Sequence, residues 1–220
     1  MIELPDFEKT YEYENFFYWT CDTQRVGKLL AHYELFKLAQ KSEGAIVECG
    51  VFKGASLIRF SVFRKLFPVS EQKKIIGFDS FAEFPHTEFE PDKEMRVNFV
   101  EECGDQSIST EQLMKVLAHK NCDANVELVA GDITGTIPEY LKNNPDLKIS
   151  LLNLDADLYE PSVTILENFF PRLSKGGVLI LDDYGVFPGE TKAADDYFKD
   201  MNIEIKKFPF SPTPSYLIKE

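Results

Sequence analysis

Leu151-Leu152-Asn153-Leu154-Asp155-Ala156-Asp157-Leu158-Tyr159 decides the fold, and Leu179-Ile180-Leu181-Asp182-Asp183-Tyr184 repeats its pattern. Each is an apolar run that ends in a pair of carboxylates. An apolar run without alternation is what a strand covered on both faces of a parallel sheet requires. Polar residues at the carboxyl end of such a strand stand where open α/β sheets bind ligands. Two strands that deliver paired aspartates to one sheet edge can hold a hard divalent cation, which takes oxygen ligands. The chain is therefore expected to be an enzyme.

Outward from these runs, strand and helix signals alternate. Ala45–Val51 reads as a strand, followed by a turn at Phe52-Lys53-Gly54 and a helix from Ala55 to about Leu66. Strands follow at Lys74–Asp79, Val126–Ala130 and Lys148–Leu154, with helices near Thr110–His119, Ile137–Lys142 and Glu160–Phe169. Lys175-Gly176-Gly177 reads as a turn before the strand Val178–Leu181, and a helix is expected over Thr191–Lys199. Such alternation predicts an α/β fold, a Rossmann-like doubly wound sheet, mostly parallel. Ile203–Phe208 and Ser215–Ile218, joined by the short Pro209–Pro214 segment, predict a C-terminal antiparallel hairpin. Ser80 to about Ser109 carries Pro85, Pro91 and many acids, and reads as a long irregular loop of the kind that forms lids. Before the first strand, apolar residues recur at helical spacing from Thr23 to Gln40, and residues 1–20 are crowded with aromatics.

At 220 residues the chain suits a single domain, 1–220, with 1–43 as a helical and aromatic cap segment. That segment packs on the body or a second subunit, or covers a substrate pocket, and it points to a homodimer. The net charge of −13 argues against a nucleic-acid partner, since phosphate backbones need a basic surface. Cys21, Cys49, Cys103 and Cys122 share no C-x-x-C spacing, so reduced thiols and a cytoplasmic location are expected. Met1–Asp6 lacks the basic-then-apolar pattern of a signal peptide, and no apolar run is long enough to span a bilayer.

Several further residues sit where chemistry is done. Glycines in Glu48-Cys49-Gly50-Val51-Phe52-Lys53-Gly54 would let a ligand approach the backbone near a helix N-terminus. The spacing is G-x-x-x-G, not the dinucleotide G-x-G-x-x-G. Asp79, in Phe78-Asp79-Ser80, can accept from ribose hydroxyls or cap a turn. Asp132 can meet an adenine amino group or cap the helix after it. His86 lies near the expected site mouth and reads as an exposed loop histidine, whereas His32 and His119 read as packing or surface residues.

Glu48-x-Gly50-x-x-x-Gly54, Gly77-Phe78-Asp79-Ser80-Phe81 and Gly131-Asp132-x-x-x-Thr136-Ile137-Pro138 resemble the class I S-adenosylmethionine-dependent methyltransferases. With Leu154-Asp155-Ala156-Asp157-Leu158-Tyr159-Glu160-Pro161-Ser162 and Gly176-Gly177-x-x-Ile180-x-Asp182-Asp183-Tyr184-Gly185, the chain resembles the macrocin O-methyltransferase family, which methylates sugar hydroxyls. The resemblance runs from about Val47 to about Phe198. It implies S-adenosylmethionine over Glu48, Gly50 and Gly54, its ribose on Asp79 and its adenine near Asp132, with Ser80 also in the cofactor site. It further implies Mg2+ (or Mn2+) on Asp155, Asp182 and Asp183, with Asp157 as general base. The acceptor is then a sugar hydroxyl of a glycosylated metabolite or a nucleotide sugar. The plainer reading of the four aspartates is helix capping without metal, although four carboxylates at one edge repel unless a cation joins them. A catechol-type methyltransferase and a non-catalytic protein retaining the fold are the rival readings.

Overall fold

The computed structural model describes residues 2–67 and 72–220. Its centre is a seven-stranded sheet built from β1 (Ala45–Cys49), β2 (Ile75–Asp79), β3 (Val126–Ala130), β4 (Ile149–Leu154), β5 (Leu173–Leu181), β6 (Lys206–Lys207) and β7 (Ser215–Ile218). The order is β3-β2-β1-β4-β5-β7-β6. The first five strands are parallel, while β7 runs antiparallel to both β5 and β6. β1 and β4 are buried along their whole length, as their unbroken apolar runs require.

Helices cover both faces. One face packs α2 (Thr23–Ala39), α3 (Ala55–Leu66) and α5 (Thr110–His119), through Leu35, Phe36, Leu57, Phe60, Leu113 and Leu117. The other packs α6 (Ile133–Asn143), α7 (Tyr159–Phe169) and α8 (Pro188–Phe198), through Ile137, Ile165, Phe169, Ala194 and Phe198. The doubly wound α/β fold is as expected. The expected cap segment divides: α2 belongs to the core, whereas α1 (Thr10–Thr20) buries none of its residues. Among the described residues no helix is long and apolar enough to cross a membrane.

Three local readings are corrected. The stretch read as an irregular loop contains α4 (Glu90–Cys103). Pro91 lies in its first turn, where a missing N–H costs nothing, and Glu90 and Asp92 complement the helix dipole there. Lys175-Gly176-Gly177 is an irregularity inside β5, not a turn before it: the β4–β5 register jumps from Leu173 to Val178 across it. The hairpin forms, but its first strand is only Lys206–Lys207.

Candidate active site

After β3 the chain returns to the middle of the sheet, so β1 and β4 are neighbours whose following segments leave in opposite directions. Such a switch point opens a crevice at the carboxyl ends of the strands. Here the crevice is held very close. The Asp155 N–H donates to the Cys49 carbonyl at 2.9 Å, and the Asp182 N–H donates to the Leu154 carbonyl at 2.9 Å. Gly50 has φ +91°, and a Cβ placed on it would lie 1.8 Å from the Asp155 carbonyl oxygen. No other residue fits that approach.

Beyond β4 the chain makes a three-residue turn. The Leu158 N–H donates to the Ala156 carbonyl at 2.6 Å, and Asp157 at its apex has φ 62°. This is the strained hand of the γ-turn, a backbone state found at functional sites. It turns Asp157 back toward its neighbours: carboxylate oxygens of Asp155, Asp157 and Asp183 all lie within 4.8 Å of one another. Burial pushes the carboxyls of Asp155 and Asp157 well up, and the charges of Asp182 and Asp183 respectively add to it. Three enclosed carboxylates with only oxygen donors match the preference of a hard divalent cation.

Asp182 is placed differently. Its side chain is fully buried, one oxygen accepting from the Lys28 ammonium and the other from His32 Nε2 at 3.1 Å. Arg59 Nη1 donates to His32 Nδ1 at 2.9 Å, which leaves His32 neutral with its proton on Nε2. Burial alone would raise the Asp182 carboxyl, but Lys28 and His32 outweigh it and hold it below the usual range. Of the expected metal set, Asp155 and Asp183 therefore join Asp157, while Asp182 is engaged behind them.

The other expected residues line or brace the crevice. Asp79 Oδ2 accepts from the N–H groups of Val51 and Phe52 at 2.7 and 2.9 Å, and Oδ1 from the Phe81 N–H at 2.7 Å. It thereby binds the glycine turn to its own loop. Ser80 donates to the Glu83 carbonyl at 3.1 Å. Gly54, with φ +81°, is the residue before α3. Asp132 caps α6 through one oxygen, accepting from the Thr134 N–H at 2.8 Å, and also lines the crevice.

Glu48 is fully buried, accepts from the Ser56 hydroxyl at 2.8 Å and leaves Oε2 without a partner. Burial pushes its pKa up to about 8. The folded chain therefore holds Glu48 neutral at pH 7, while the unfolded chain, with an ordinary value of 4.5, ionises it. Stability from this group is full below the unfolded value and is lost as pH rises toward about 8. Each pH unit in that window costs about 1.4 kcal/mol. Glu48→Gln should flatten the fall in denaturant midpoint between pH 5 and pH 8 relative to the unaltered protein. An unchanged slope would show that Glu48 is not buried as an acid.

Two cavities meet at this edge. The first, of about 380 Å³, is lined by Asp79, Ser80, Gly131, Asp132 and Ile133, with exposed His86 at its wall. The second, of about 630 Å³, lies between α2 and α4 and is lined by Arg25, Lys28, Arg59, Met95, Phe99 and Asp183. Gly50, Phe52, Asp155 and Asp157 belong to both. α4 is fastened over the second by buried Asp92, which accepts from the N–H of Tyr159 at 2.9 Å and of Gly189 at 2.7 Å. Glu160 accepts from the N–H groups of Glu88 and Phe89 as well.

Lys28, His32, Arg59 and Asp92 were not expected at the site. Arg25, Lys28 and His32 did leave a trace, since their spacing puts three basic or polar side chains on one face of α2. None of the residues of α1 lines either cavity.

A parallel sheet in the order β3-β2-β1-β4-β5, extended by the antiparallel pair β7 and β6, is the fold of the class I methyltransferases. The calicheamicin methyltransferase CalS11 superposes with a TM-score of 0.77 at 29% identity, over 95% of this chain and 85% of that one. The family model described as Macrocin-O-methyltransferase matches residues 20–208, and the chain belongs to that family. A Streptomyces olivaceus protein, 8-demethyl-8-(2,3-dimethoxy-alpha-L-rhamnosyl)-tetracenomycin-C 4'-O-methyltransferase, is 31% identical over 68% of this chain and 56% of its own length. The mycinamicin III 3''-O-methyltransferase of Micromonospora griseorubida is 27% identical over 70% of this chain and 60% of its own. Matches to these curated relatives thus span less than two thirds of their length.

Proposed function

We propose that the chain is an S-adenosylmethionine-dependent, divalent-metal-dependent O-methyltransferase acting on a sugar hydroxyl of a glycosylated metabolite or a nucleotide sugar. The observation that carries this reading is the meeting of two cavities at Gly50, Phe52, Asp155 and Asp157, with an acidic trio at their junction. In it the cofactor takes the first cavity, where Asp79 and Asp132 present oxygen acceptors, and the acceptor takes the second. Relatives named for methylating a rhamnosyl group or mycinamicin III support a sugar acceptor.

Bound S-adenosylmethionine would supply a methyl group on a sulfonium, an electrophile open to in-line displacement. A divalent cation on Asp155 and Asp183 would polarise an acceptor hydroxyl and stabilise the alkoxide that develops on it. The remaining work falls to the chain. Gly50 keeps the wall between the cavities thin, and the γ-turn holds Asp157 beside Asp155 and Asp183. Asp157 would take the proton that the acceptor hydroxyl gives up on methylation. Its enclosure, which raises its proton affinity, suits it to act as a general base. Lys28 and His32 keep Asp182 ionised and fixed, so that the end of β5 presents Asp183 steadily.

Calorimetry with S-adenosylhomocysteine, followed by turnover on sugar acceptors with and without chelator, tests the reading. One-to-one binding that survives EDTA, with turnover that stops in EDTA and returns with Mg2+, is the expected result. Full turnover in excess chelator would sink the metal role. A folded protein that does not bind S-adenosylhomocysteine would sink the methyltransferase reading altogether.

A further inference from the structure

Glu190 lies in the first turn of α8 and is fully buried, yet it lines neither cavity. It holds both acidic strand ends at once. Its N–H donates to the Asp157 carbonyl at 3.0 Å, beyond β4, and its Oε1 accepts from the Asp183 N–H at 3.0 Å, beyond β5. Oε2 finds no partner among the described residues. A carboxyl enclosed in this way is a costly choice for a position that packing alone would fill with an apolar side chain. Burial and the charges of Asp183 and Asp157 push it well up, so it stands uncharged beside them and adds nothing to their repulsion.

The turn that carries Glu190 has little room to shift. The Gly189 N–H donates to Asp92 Oδ1 at 2.7 Å, and a Cβ on Gly189 would collide with the Asp92 carboxylate and the Tyr159 nitrogen. On the other side of Glu190, the Thr191 hydroxyl accepts from the Gly185 N–H at 2.8 Å. The loop after β5 thus closes onto a fixed helix start, and the Glu190 carboxyl is where it closes on Asp183 itself.

Resting on the metal reading above, we propose that Glu190 is a positioning residue whose side chain fixes Asp183, as a cation ligand, at a set distance from Asp157, the base. The bond to Asp157 and the bond to Asp183 meet in one residue, so the two acids keep one spacing. Without the side-chain bond the Asp183 N–H would be left unpaired, and the end of β5 would turn to find another acceptor. Glu190 acts through Asp183 and touches neither cofactor nor acceptor.

The test compares Glu190→Met with Glu190→Gln. Both side chains match glutamate in length, and only glutamine keeps an oxygen for the Asp183 N–H. A Mn2+ titration followed by electron paramagnetic resonance reads free Mn2+ directly and needs no turnover. Glu190→Met should bind Mn2+ at least about tenfold more weakly than the unaltered protein, the usual loss when the partner that orients a metal ligand is removed. Glu190→Gln should stay near the original affinity. S-adenosylhomocysteine should bind all three alike, because Glu190 does not line the first cavity. If Glu190→Met does not fold, Glu190→Ala, which also lacks the oxygen, takes its place. A glutamate that served packing alone would leave Mn2+ affinity the same in every folded variant, and that result overturns the proposal alone. Equal losses in the methionine and glutamine variants overturn it as well. Absence of Mn2+ binding in the unaltered protein overturns it together with the metal reading.

Discussion

Asp157→Asn should slow methyl transfer by roughly 10²- to 10⁴-fold, the usual worth of a positioned general base, with S-adenosylhomocysteine still bound. The substitution is unusually clean. Asp157 has φ 62°, a region asparagine enters as readily as aspartate, so the turn should survive. The Asp157 carbonyl, which accepts from the Glu190 N–H at 3.0 Å, belongs to the backbone and is unaffected. What is lost is the basic oxygen. Single-turnover kinetics across pH should show the chemical step depressed and its dependence on a basic group gone. Near-normal chemistry, or a defect confined to acceptor KM, would remove Asp157 from the role of base.

Gly50→Ala should be the most damaging small substitution in the chain. The added methyl meets the Asp155 carbonyl oxygen at 1.8 Å and its carbonyl carbon at 2.5 Å. These are backbone atoms in the middle of the sheet edge, and no rotamer change removes them. The cost should be about 3 kcal/mol or more, at the upper end of overpacking effects. Because the displaced segment carries Asp155 and Asp157, cofactor binding should fall together with stability. Gly104→Ala is the control: Gly104 also has a left-handed φ, 76°, but nothing lies within 4 Å of an added Cβ. Denaturant midpoints and calorimetry on both variants separate collision from backbone preference. A Gly50→Ala protein as stable as the Gly104→Ala control would mean that β1 and β4 do not approach this closely.

The buried strands were legible because burial on both faces writes an unbroken apolar run, and the acids at Asp155 and Asp182 marked where each run stops. The limits of α5 were equally plain, since Ser109 and Gln112 form a capping box at its start. α4 was hidden by Pro91, which breaks a helix interior but suits a first turn, and by a body that buries only Asp92. Asp79 was visible as a site residue, but its partners were not. They are backbone amides of loops whose shape depends on positive φ at Phe52 and Phe81. His32 was read as packing because its partner Asp182 lies 150 residues away, and only the stacking of α2 on the sheet brings them together. Local pattern reports which face a residue occupies; it does not report what waits on the other side.

α4 is held along its length: Arg96 donates to the Phe84 and Pro85 carbonyls, Phe99 packs on Phe52, Phe84 and Phe187, and Lys53 donates to the Cys103 carbonyl at its far end. Asp92 anchors its first turn to the starts of α7 and α8, whereas Met95, Asn98, Phe99 and Glu102, spaced along one helical face, line the second cavity. The part that would choose the acceptor is thus a helix distinct from the strand ends that would do the chemistry, joined to them through Asp92, Glu160 and the ring of Phe99. On the proposed function, acceptor choice can then shift through the α4 residues that face the second cavity, while the aspartates stay where the sheet puts them.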